Sequence, residues 1–154
     1  MKIDLHHLSP ESLTQAIAML DEEWIHDDPA IAPVIPVVLG RGVGQDWHKA
    51  GTCRHHLIGV TRTLTLWQQP DDVRLLGLLH SVYGNAHVDL VKFDPKSERG
   101  RLAELVGDEV ERLIYTFCTI SRVAFVRCLL TDQIADDGSV TLDNGGKPQL
   151  LPAR

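Results

Sequence analysis

The chain has 154 residues, 44 % of them hydrophobic and 23 % charged, with a formal net charge of −6. Residues 1–154 fit a single domain with a real core, and the acidic balance disfavours a protein that grips nucleic-acid phosphates nonspecifically. MKIDLHHLSPESL lacks the basic-then-apolar order of a secretory leader, no apolar run approaches a membrane span, and Cys53, Cys118 and Cys128 form no C-x-x-C pair. The expected setting is therefore a reducing cytoplasm, without disulfides, structural zinc or a membrane partner.

Ser9-Pro10-Glu11 opens a helix with a serine N-cap, a proline in its first turn and an early acid. Leu13, Ile17, Leu20 and Trp24 follow at helical spacing, and Asp27-Asp28-Pro29 ends the segment. Prolines and glycines over residues 30–44 predict an extended loop, apolar enough to pack down. Thr52 caps a second helix reaching Trp67, with Cys53, Leu57, Val60, Leu64 and Trp67 on one face. After the turn at residues 68–72, Asp71 or Asp72 caps a third helix ending at Tyr83. So short a connection makes these two helices antiparallel neighbours. Residues 85–96 read as irregular. Ser97 caps a fourth helix to Val106, and Gly107-Asp108 breaks and restarts it. Val110, Leu113, Ile114 and Phe117 carry the next apolar stripe, with residues 123–130 continuing as helix. The tail reads as a turn, a short strand over 140–142 and a second turn at Asn144-Gly145-Gly146.

The stretch LLGLLHSVYG sets His80 into an apolar run. In an antiparallel pair, His56 near the start of one helix meets His80 near the end of the next, so the two imidazoles face one cavity. His48 joins them if a helix-like turn spans the interval to His56. Three imidazoles are a donor set for a transition metal. The competing reading is a pair of buried interface histidines with hydrogen-bond partners of their own. His6, His7 and His26 read as surface residues, and His55 as exposed or supporting.

In this order, His56-Leu57-Ile58-Gly59-Val60 and Leu78-Leu79-His80-Ser81 resemble the HD-domain superfamily, and more closely a divergent, functionally uncharacterised branch of it. The further matching positions are His48, Leu64 with Trp67, Gly77-Leu78, Val82-Tyr83-Gly84, Arg99, Arg101-Leu102, Val106-Gly107, Phe117 and Arg122. Together they span residues 46–125. The resemblance implies an all-α, HD-domain-like helical bundle, here with a short irregular or β-hairpin C-terminal tail. Members of that superfamily hold one or two metal ions through His…His-Asp…Asp and are mostly phosphohydrolases. Here Ser81 replaces the aspartate of the His-Asp pair, and no final carboxylate is identifiable. Serine is a neutral, poor ligand, so a two-metal site is not expected.

The expected function is an HD-like enzyme acting on a small molecule in a histidine-lined cavity. His56 and His80, with Ser81 and Tyr83, are the candidate catalytic residues. Arg54, Arg99, Arg101 and a loop residue, His87, are the candidates for binding an anionic substrate. One divalent transition metal held by His48, His56 and His80 would make this a single-metal hydrolase; without it, the imidazoles act as general acid and base. The alternative is a catalytically inactive HD-like binding module. In that reading a segment such as residues 32–39 makes a homo-oligomer or partner contact.

Overall fold

The structure, a computed structural model, describes residues 9–11, 14, 17, 19, 22–48, 51–85, 89–131, 133–143 and 148–151, without the side chains of His48, Asp143 and Gln149. Besides helical residues between Pro10 and Met19, the described residues form seven helices and two small antiparallel ladders. In chain order these are α1 (Trp24–Asp27), α2 (Ile35–Gly40), β1 (Trp47–His48), β2 (Gly51–Thr52), α3 (Cys53–Leu66), α4 (Asp71–Leu79), α5 (Arg99–Val106), α6 (Asp108–Thr119), α7 (Arg122–Leu130), β3 (Val140–Asp143) and β4 (Pro148–Leu151). The described residues are thus mostly helical, with short strand pairs at the α3 entry and in the tail. Among the described residues, no single helix is long and apolar enough to cross a membrane.

Pro10, Glu11, Thr14, Ile17 and Met19 are helical; Leu13 and Leu20 lie outside the described residues. Asp28 ends α1 because its carboxylate accepts the backbone N–H groups of Ala30 and Ile31 at 3.0 and 3.1 Å. Asp28 also pairs with Arg74, which ties this turn to α4. Residues 30–44 are not wholly extended: Pro36 sits in the first turn of α2, where a missing N–H costs nothing. Val34, Ile35 and Val38 of this segment are buried in the core, whereas Pro33, Pro36 and Leu39 are exposed, so residues 32–39 present both an inward and an outward face.

Thr52 caps α3, its hydroxyl accepting from the His55 N–H at 3.3 Å. Cys53, Leu57 and Ile58 go into the core, whereas Trp67, expected on that face, is 68 % exposed at the helix end. α4 stops at Leu79, four residues before the expected end. His80 to Tyr83 form a turn instead, closed by Gly84 N–H donating to the Ser81 carbonyl at 2.9 Å, with Gly84 at φ 72°. Ser97 does not cap α5; its hydroxyl donates to Asp94, which organises the turn ahead of the helix. Gly107, at φ 88°, divides α5 from α6 as expected.

α7 is a new helix rather than a continuation. Ser121 caps it by accepting from Ala124 N–H at 3.2 Å, and it departs from α6 at 92°. The main core joins α1–α6 through Ile25, Ile31, Leu57, Leu78, Leu79, Phe93, Leu102 and Ile114. A separate small cluster of Cys128, Val140 and Leu142 packs the tail hairpin against α7.

Candidate functional site

His56 lies in the first turn of α3, and Val60 and Leu64 follow at intervals of four, making one stripe along the helix. α4 presents the facing stripe of Val73, Leu76 and Gly77, with His80 one residue past its last turn. Phe117 from α6 and Arg122 at the start of α7 complete the lining of a cleft of about 400 Å³.

The two imidazoles meet in this cleft, with Nε2 to Nε2 at 3.2 Å and ring planes at 77°. Heavy-atom contacts assign the protons. The Gly77 carbonyl lies 2.7 Å from His80 Nδ1 and can only accept, so His80 Nδ1–H donates to it. With both rings neutral, His80 Nε2 is then the acceptor and His56 Nε2–H the donor of the contact between them. Phe117 holds the His80 ring edge-on at 5.8 Å, and the Cys118 thiol donates to the His80 carbonyl at 3.3 Å. Burial pushes that thiol up to about 11, so it stays protonated as a donor near neutral pH.

Gly77 sets the closeness of the two stripes. A Cβ there would fall 2.4 Å from Leu64 Cδ1 and 3.3 Å from Val60 Cγ1. The Leu64 terminus can swing aside, and alanine gains helix propensity, so Gly77→Ala is expected to change stability by less than about 1 kcal/mol. The displaced methyl moves within the cleft. Ligand binding or turnover should therefore weaken while the urea midpoint hardly moves; a large midpoint drop with binding intact would contradict this placement.

The other expected site residues are elsewhere. Ser81 is buried, with its hydroxyl on the Cys53 thiol. Tyr83 donates its phenol to Glu111 Oε1 at 2.8 Å. Burial and the Glu111 carboxylate push that phenol above its ordinary range. Arg99 grips the same carboxylate through Nε and Nη2, both at 2.7 Å, and stacks on Tyr115. Arg54 pairs with Glu22 at 2.6 Å, and the largely exposed Arg101 lies 3.7 Å from Glu98. Neither Ser81, Tyr83 nor any of these three arginines lines the histidine cleft. His87 and the His48 side chain lie outside the described residues. Phe117 and Arg122 belong to the matching pattern, but nothing in the sequence alone assigns them to the cavity. A sequence signal for Arg122 is Ser121, an N-cap that starts a new helix and puts Arg122 in its first turn.

The chain belongs to the family described as Domain of unknown function (DUF6817), whose model matches residues 37–122, more than half its length. That span holds all nine residues lining the cleft. No curated protein and no solved structure matches the chain.

Proposed function

We propose that this DUF6817 chain is an HD-like helical enzyme acting on a small molecule, with His56 and His80 as one proton-transfer unit. The observation that carries this reading is the 3.2 Å Nε2–Nε2 contact inside the cleft. In the neutral pair, a single proton lies between the two Nε2 atoms. A proton taken from a ligand by His80 Nε2 would set two N–H donors face to face, so their mutual bond breaks and the rings part. His80 then presents an acidic N–H to the ligand while Gly77 still holds its Nδ1–H. Base and acid are two states of one pair. The buried free thiols Cys53, Cys118 and Cys128 support a cytoplasmic setting.

Turnover of small esters, amides and phosphate monoesters by wild type, His56→Ala and His80→Ala tests this reading. Each variant is expected to lose about a hundredfold or more while circular dichroism stays unchanged. Turnover equal to wild type in either folded variant refutes it.

The same contact supports a second reading, because two imidazole legs of about 2.05 Å at a tetrahedral angle span about 3.3 Å. A catalytic zinc centre uses three protein ligands, whereas among the described residues no three His, Cys, Asp or Glu side chains converge. The donors described stop at two, and the proton steps above use the imidazoles alone. Near-stoichiometric metal in the purified protein, lost in both alanine variants, would favour the single-ion form. Ligand retention without turnover in wild type would favour the inactive binding module, which the missing HD carboxylate supports.

A further inference from the structure

We infer that the cleft takes a small amphipathic anion, with a carboxylate or phosphate head on Arg122 and a short apolar body along Val60, Leu64, Val73 and Leu76. This substrate class rests on the reading of the cleft as a small-molecule site. Arg41, Arg54, Arg62, Arg74, Arg99 and Arg101 each reach a carboxylate within ion-pair distance. Arg122 is half-buried, lines the cleft, and has no carboxylate at that distance among the described residues. Its guanidinium carbon sits 4.9 Å from the centre of the Phe117 ring, a cation–π contact that uses the face of the ring and none of the N–H donors.

Among the described residues no Asp or Glu lines the cleft, and the polar side chains described there are one guanidinium and two imidazoles. In a chain of net charge −6 this is a local reversal of sign. It disfavours cationic ligands and gives an anion an unopposed partner. The opposite wall is aliphatic, and a volume of about 400 Å³ suits a ligand of modest size. A head on Arg122 with a tail along α3 and α4 would pass the histidine pair, which lies between those walls.

The test is an NMR titration of the full chain with hexanoate, hexyl phosphate, acetate, inorganic phosphate and hexan-1-ol. Hexanoate or hexyl phosphate is expected to bind at least about tenfold more tightly than hexan-1-ol, as one charge-assisted bidentate contact allows. Each should also exceed its tailless counterpart. The tighter of the two heads distinguishes a carboxylic acid from a phosphate ester as the natural source. Arg122→Gln should abolish the preference for the anion, and Arg122→Lys should restore part of it. Equal binding of hexan-1-ol, undiminished anion binding by Arg122→Gln, or no binding of any probe overturns the inference. Arg122-dependent anion binding without His80-dependent turnover upholds the ligand class and refutes the enzyme. His80-dependent turnover of neutral compounds alone does the reverse.

Discussion

Replacing Glu111 by alanine is expected to destabilise the protein by about 3 kcal/mol. The Glu111 side chain is 6 % exposed and accepts from Tyr83 and from two nitrogens of Arg99. Alanine leaves the buried Tyr83 hydroxyl without its acceptor, which alone costs about 1–3 kcal/mol. Arg99 contributes less, because its side chain is 41 % exposed and can turn to water. Glu111→Gln keeps one acceptor oxygen and should cost roughly half as much. Urea denaturation at neutral pH provides the comparison.

A pH dependence accompanies that effect. Burial acts to raise the Glu111 carboxyl, but the bonds from Arg99 and Tyr83 outweigh it and hold the group below its ordinary value. A carboxyl depressed by folding contributes stability above its unfolded value, and the contribution disappears as pH falls through the folded one. Wild type should therefore lose stability more steeply than Glu111→Gln below about pH 4.5. Parallel curves would remove the carboxylate from this role. Tyr83→Phe belongs to the same network and should lower stability while leaving turnover at the histidine cleft nearly intact.

Phe93→Ala is expected to cost about 3–5 kcal/mol, the range for deleting a buried aromatic ring. Phe93 is 1 % exposed, and the Arg41 guanidinium lies 3.6 Å over its face. Arg41 in turn holds both oxygens of Glu98 and the Lys92 carbonyl. The backbone N–H groups of Lys92 and Phe93 both donate to the Val82 carbonyl, at 2.7 and 3.0 Å. The ring thus fastens the 89–98 segment to the turn that follows His80. Its removal should lower the urea midpoint with little change in slope; a small midpoint shift would mean that the loop refills the void.

The helical plan was legible wherever an apolar stripe and a short turn occurred together. Five residues of turn between Leu57-Val60-Leu64 and Leu75-Leu78 were enough to place α3 beside α4 and to face His56 toward His80. The tail hairpin was readable from its turn residues. The strands Trp47–His48 and Gly51–Thr52 were not, since two residues carry no alternation. α2 was hidden because proline in a helix's first turn is indistinguishable by composition from proline in a loop. The expected end of α4 at Tyr83 overshoots because the Gly77 carbonyl is taken by the His80 ring and the following turn closes on itself, neither of which leaves a hydropathy signal. Glu111 looked like one more first-turn acid beside Asp108 and Glu109. Its partners, Arg99 and Tyr83, lie 12 and 28 positions away, and only the fold brings them to it. The same pairing withdrew Tyr83 and Arg99 from the cavity expected to hold them.

The right angle between α6 and α7 works as an elbow whose pivot lies beside Arg122. The Cα atoms of Arg122 and Leu130 are about 12 Å apart along the helix axis. A tilt of about 10° about Ser121 would thus carry the Leu130 end roughly 2 Å while shifting the Arg122 backbone by only a few tenths. The lever is longest at the tail and shortest at the cation. The spacing between the guanidinium and the paired imidazoles is thus the distance that such a tilt would alter least.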